Sequence, residues 1–176
     1  LYSLEDGALV ATVRKSSSAL VLPFEQMTMI KSVSYDWCTT RDMSKVTKEK
    51  EQTKAGDDAA LRLGILISGN PPGIPLFVPN WMKRLEKIVK FPTNQVLFVT
   101  SGVATSPGKT WQSPYTKYIK MTVAKNTPKN LTLCKGGQTG HFVSEVPLES
   151  TGLWFMADGD DTLQSFTTWI TNIQIK

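Results

Sequence analysis

The run that looks most like a chemical motif is Gly102-Val103-Ala104-Thr105-Ser106-Pro107-Gly108-Lys109-Thr110, which follows an apolar segment and ends in Gly-Lys-Thr. A phosphate-binding loop of that ending needs four residues between its glycines and a helix directly after it, so that successive backbone N–H groups converge on phosphate oxygens. Here five residues intervene, and Pro114 stands where the helix would run. The run therefore predicts a plain loop between strands. Nucleophilic catalysis needs a base held against a Ser or Cys. The single histidine, His141, and Cys134 flank one Gly-rich turn, but no orienting acid or oxyanion-hole feature accompanies them, and no enzyme is predicted. Asp158-Gly159-Asp160-Asp161 gathers the hard oxygen ligands that calcium takes. A β-turn explains these residues without a metal, and Trp169 occupies the position of the glutamate that closes a helix-loop-helix calcium loop. No cofactor is expected beyond calcium at a subunit interface, where a neighbouring chain would complete the shell.

Five tryptophans are available for stacking, at positions 37, 81, 111, 154 and 169. Trp37, Trp81 and Trp169 fall on apolar faces and are predicted core, whereas Trp111, in the loop Lys109 to Pro114, is the predicted interface residue. Cys38 and Cys134 are expected to pack as small buried hydrophobes, the sequence leaving open whether they pair.

The elements that must position these groups are mostly strands. Apolar residues recur with period two: Leu61, Leu63, Ile65 and Ile67; Met29, Val33, Tyr35 and Trp37; Ile119, Met121 and Val123; Trp169, Ile173 and Ile175. Shorter candidates lie at Ala8 to Val13, Ala19 to Phe24, Val96 to Thr100, Leu131 to Lys135, Phe142 to Leu148 and Leu153 to Ala157. About ten β segments divided by turn-rich links predict an antiparallel sandwich or barrel. One helix is expected over Asn80 to Lys90, with Trp81, Leu85, Ile88 and Val89 as its inner stripe and Pro92 as its stop. The polar segment Thr39 to Ala60 reads as a long exposed loop.

At 176 residues the chain suits one core, and no run approaches the roughly 20 apolar residues that span a bilayer. The net charge of +5 is unevenly spread. Between Lys87 and Ser144 there are eight lysines and no acidic residue, while Glu145, Glu149, Asp158, Asp160 and Asp161 face only Lys176 beyond it. A basic middle and an acidic end can pair between copies, or the basic part can face a polyanion.

The order of elements carries a resemblance. The strand Met29 to Cys38, a polar loop, the strand Leu61 to Ser68, a helix leading into Val96 to Thr100, the segment Ser113-Pro114-Tyr115-Thr116-Lys117-Tyr118-Ile119-Lys120, and a final pair Gly152 to Ala157 and Ser165 to Ile175 together resemble a small viral coat protein. The chain is similar over nearly its whole length to the single jelly-roll capsid proteins of satellite viruses and nanoviruses. This resemblance implies an all-β, antiparallel jelly-roll β-sandwich with one short surface helix. Residues 1–18 would be an N-terminal arm and first strand, and residues 19–176 a single jelly-roll domain. It further implies a structural protein of the virion, a homo-oligomer closing into an icosahedral shell around nucleic acid held without sequence specificity, and no membrane. Arg14 and Lys15 in the arm, with Lys117 and Lys120, are the expected phosphate contacts. Arg41 and Lys45 within 41–54, residues 71–78, and Trp111 and Tyr115 within 111–115 are the expected subunit contacts.

Two other readings stay open. A carbohydrate-binding, lectin-like β-sandwich would use Trp111, Tyr115 and Asp158 to Asp161 as a stacking platform with polar contacts. A single-stranded nucleic-acid-binding barrel would stack bases on Trp111, Tyr115 and Tyr118 among the lysines of 109 to 135.

Overall fold

The computed structural model of the chain describes residues 1–70 and 80–176. Its strands are β1 (Tyr2–Glu5), β2 (Ala8–Arg14), β3 (Ser17–Thr39), β4 (Leu61–Ser68), β5 (Thr93–Ser101), β6 (Thr110–Gln112), β7 (Ile119–Val123), β8 (Lys125–Pro128), β9 (Gln138–Asp158) and β10 (Ser165–Ile175), with one helix, α1 (Asn80–Leu85). The all-β expectation holds. The strands form one sheet in the order β1-β2-β10-β3-β9-β4-β5-β7-β6, with β8 also pairing β9. Strands β5 and β7 run parallel, and the other pairs among the described residues are antiparallel. Ala124 donates its N–H to the Thr100 carbonyl, so β8 continues the line of β7 and brings the sheet back to β9.

β3 and β9 are the long spine. Their register shifts between Pro23 and Thr28 and again between Ile30 and Ser32. A bulge adds residues on one strand and moves the following side chains to the other face. Hence Met29, expected to share a face with Val33, Tyr35 and Trp37, is 55% exposed, while Ile30 is fully buried with those three. The same correction applies to β10. Phe166, Thr168 and Ile170 point inward and Trp169 does not, because the expected alternation was read through a register shift between Thr171 and Gln174.

The main core joins Leu61, Leu63 and Ile65 of β4 to Val33, Tyr35, Trp37, Leu153 and Phe155. The opposite face of the sheet is covered as well. There Leu66 packs with Phe98, Met121, Leu85 and Val89. β4 is consequently buried on both sides, beyond the half-buried pattern expected of it. The helix ends at Leu85, short of the expected Lys90, and its tail tightens through i→i+3 bonds from Lys87 to Arg84 and from Ile88 to Leu85. Ile88 is therefore left 50% exposed.

Three further expectations are corrected. Leu131 to Lys135 forms turns and no strand, and Cys134 within it is disulfide-bonded to Cys38, so neither cysteine is a free buried thiol. The segment Thr39 to Ala60 is not wholly exposed, since Glu51, Asp57, Asp58, Ala59 and Ala60 are buried. Polar groups also enter the interior in paired form. Asp36 is buried and accepts from Lys129 at 2.6 Å, Thr139 at 2.6 Å and Asn172 at 2.8 Å. Burial would raise its carboxyl, but these three donors win and hold it below the usual carboxylate range.

Candidate functional site: an aromatic cleft with a carboxylate end

The site starts from the alternation of β4. Leu61, Leu63 and Ile65 take the main core, so Arg62 and Gly64 face the other way. A Cβ on Gly64 would lie 2.8 Å from the Phe98 ring and 3.0 Å from the Trp154 Cβ. Glycine is what lets those two rings settle over the strand. Phe98 and Trp154 meet edge-on, with centroids 5.6 Å apart at 73°, and Trp81 from α1 meets Trp154 at 5.7 Å and 59°. With Met121 these rings make the apolar wall of a cleft of about 500 Å³. A second hollow of about 410 Å³, lined by Val21, Leu85 and Ile88, shares Trp81 and Trp154 with the first. Among the described residues the indole N–H of Trp154 has no hydrogen-bond partner.

The far end of the cleft is charged. Arg62 is buried and donates from Nη1 to Asp158 Oδ2 at 2.6 Å, and from Nη2 to both the carboxylate and the carbonyl of Asp57 at 2.7 Å. Asp58 accepts the N–H groups of Asp161 at 3.2 Å and Thr162 at 2.7 Å, together with the Thr162 hydroxyl, which pins the turn after β9. The Tyr115 hydroxyl lies 2.9 Å from both oxygens of Asp161 and donates to that carboxylate. One oxygen each from Asp58, Asp158 and Asp160 fall within 4.8 Å of one another. Asp158 Oδ1 is buried with no partner among the described residues. Burial pushes the Asp158 carboxyl up to about 8 against the pull of Arg62, and the neighbouring Asp160 and Asp58 add to the rise. Such an end favours donors and cations over anions. Next to it, flat indoles offer apolar faces to a ligand.

The residues named from sequence are distributed as follows. Arg14 ends β2, and Lys15 sits at positive φ in the turn to β3, both exposed. Lys117 is exposed with its ammonium 5.4 Å from the Tyr118 ring, and Lys120 is exposed on β7. These two pairs sit on or beside β2 and β7, which are not hydrogen-bonded neighbours. Arg41 is 5% exposed, donates to the Gly102 carbonyl at 3.2 Å and lies 5.7 Å from the Phe166 ring, so its guanidinium serves the interior. The Lys45 side chain and residues 71–78 lie outside the described residues. Trp111, on β6, is half-buried against the second apolar cluster and does not line the cleft. Tyr115 does, beside Asp158, Asp160 and Asp161. Of the stacking platform read from sequence, the carboxylates and Tyr115 come together, and Trp81 and Trp154 stand where Trp111 was expected.

The Gly-Lys-Thr loop finds its own occupant. Glu51 accepts from the N–H groups of Ala104 and of Thr105, the latter at 2.8 Å, and from the Thr105 hydroxyl at 2.6 Å. An internal carboxylate thus takes donors that a phosphate would need. His141 is exposed on β9, and Cys134, bound to Cys38, has no thiol to offer it.

Sequence reasoning missed Arg62, Asp57, Asp58 and Trp154. Arg62 carried a legible signal, being the one charge in the apolar run Leu61 to Ile67, where a charge must be paired to be buried.

No curated protein and no solved structure matches the chain. The profile of one family, described as "Protein of unknown function (DUF3047)", matches residues 2–174. That span takes in the spine strands, the aromatic wall and every carboxylate of the cleft, and the chain belongs to the DUF3047 family.

Proposed function

We propose that the protein is a carbohydrate-binding module and that the cleft between the Trp81–Trp154 pair and the Asp57–Arg62–Asp158 cluster holds its glycan. The observation that carries this reading is the union in one open cleft of indole faces and a carboxylate end. A sugar ring presents apolar C–H faces and a rim of hydroxyl donors, and those are what the two ends complement. The second hollow across the tryptophan pair suits a ligand longer than one residue. Four aspartates line this cleft beside Arg62, an acidic excess that disfavours the phosphates of nucleic acid there. We read the sheet as a jelly-roll sandwich whose spine strands β3 and β9 pass between layers at their bulges. The Cys38–Cys134 disulfide fits work in an oxidising compartment.

A screen of immobilised oligosaccharides, followed by calorimetry of the best ligand, tests the reading. Trp81→Ala and Tyr115→Ala are each expected to weaken binding about tenfold, equivalent to about 1.4 kcal/mol, with thermal unfolding recording that the fold is kept. Binding that both variants leave unchanged would remove the cleft from the account.

A second reading, the self-assembling shell, is favoured by one other observation. Leu22, Met29, Val143 and Val146 expose apolar side chains along β3 and β9, and such patches mark surfaces that meet other proteins. Sedimentation velocity and negative-stain microscopy across salt concentrations are expected to show uniform particles on this reading. A monodisperse monomer under every condition contradicts it.

A further inference from the structure

We propose that Asp58, Asp158 and Asp160 hold a divalent cation of the calcium class at the carboxylate end of the cleft, with Asp158 Oδ1 as a ligand and the open side of the shell left for hydroxyls of a bound glycan. Two oxygens that share one calcium ion at about 2.4 Å can be at most about twice that distance apart. The three carboxylate oxygens lie within 4.8 Å of one another and meet that limit.

Crowded carboxylates alone do not make a site. Here the independent observation is the state of Asp158. It is 4% exposed, its Oδ2 is taken by Arg62, its Oδ1 has no donor among the described residues, and the further side chain against it is another acid, Asp160. A buried, unpaired carboxylate oxygen is costly unless something positive reaches it. Arg62 does not reach it in this geometry, because Nη1 bonds Oδ2 alone and both Nη2 contacts go to Asp57. Acids outnumber bases here: Asp57, Asp58, Asp158, Asp160 and Asp161 stand against Arg62 and Arg41.

The ligand chemistry selects the ion class. The donors are carboxylate oxygens with neither His nor Cys among them, which suits hard cations over zinc or copper. Asp58 is held by the turn that it caps, and Asp158 by Arg62, so two of the three ligands are fixed in advance. Asp160 is exposed at the rim of the cleft. An ion with six to eight ligands in flexible geometry would draw its remaining ligands from water or from vicinal hydroxyls of a sugar in the cleft. Only this last bridging role rests on the carbohydrate reading.

The test begins with the full chain stripped by EDTA and titrated calorimetrically with calcium chloride alone, then with magnesium chloride. One calcium site is expected, with magnesium at least tenfold weaker. Asp160→Asn is expected to weaken calcium at least tenfold while leaving the melting temperature of the EDTA-treated protein unchanged. A second variant, Asp158→Asn, is expected to abolish calcium binding. Absence of calcium heat up to about 10 mM, beyond the weakest extracellular calcium modules, overturns the site, as does an Asp160→Asn variant that binds as tightly as the original. Glycan affinity that is equal in calcium and in EDTA overturns the bridging role while leaving the cleft reading intact.

Discussion

Replacing Arg62 by leucine is expected to lower folding stability by about 3–5 kcal/mol, the range seen when one partner of a buried ion pair is removed. Arg62 is 3% exposed and is the shared partner of Asp57 and Asp158, which are 3% and 4% exposed. Leucine fills part of the space yet leaves two carboxylates without their guanidinium. Burial already pushes both carboxyls upward, and Arg62 is the main opposing influence in each case. The loss should fall when the charges go together: Arg62→Leu combined with Asp57→Asn and Asp158→Asn is expected to recover part of it, since uncharged groups need less solvation. Urea unfolding followed by tryptophan fluorescence measures both. A loss below about 1 kcal/mol for the single variant would mean that the cluster is solvated as a surface pair would be.

Breaking the Cys38–Cys134 bond is expected to cost about 3–4 kcal/mol, because the bridge closes a loop of 96 residues and long loops gain most from closure. Cys38 lies near the end of β3, opposite Trp169 of β10, while Cys134 sits in the turns ahead of β9. The bond therefore ties the end of the spine strand β3 to a segment with little regular structure of its own. Unfolding of Cys38→Ala/Cys134→Ala beside the oxidised protein measures the effect, with thiol titration in denaturant confirming that the oxidised form has no free thiol. A change under about 1 kcal/mol would contradict the predicted contribution.

How far the sequence could be read depends on the element. β4 was legible to the residue, because an apolar run with turn residues on either side leaves few alternatives. β3 and β9 were legible only in pieces. Pro23 and Pro147 lie inside the short candidates Ala19 to Phe24 and Phe142 to Leu148, and both fall at register shifts, where a strand tolerates proline and continues. β1, β6 and β8 are three or four residues long and owe their form to partners that periodicity cannot reveal.

The site divides along the same line. Asp158 to Asp161 stood out as a local cluster, and Tyr115 stood out as an aromatic among polar residues. What joins them is long-range: β4 carries Arg62, the buried end of the loop before it carries Asp57 and Asp58, and α1 brings Trp81 to Trp154. Trp154 gave no local sign of its role, since it stands in the continuous apolar run Leu153 to Ala157, where every residue reads as core. Trp111 drew attention through its loop position and lies elsewhere.

A glycan lying against the indoles of Trp81 and Trp154 must perturb their resonances. Titration of isotopically labelled protein with the oligosaccharide that binds most tightly, observed through the indole N–H resonances, tests it most directly. The Trp81 and Trp154 signals are expected to move while that of Trp37, whose N–H is bonded to Asn126 at 3.0 Å inside the sheet, stays in place. Indole signals that do not respond to a ligand shown to bind, or a response confined to residues around Lys117 and Lys120, would contradict it.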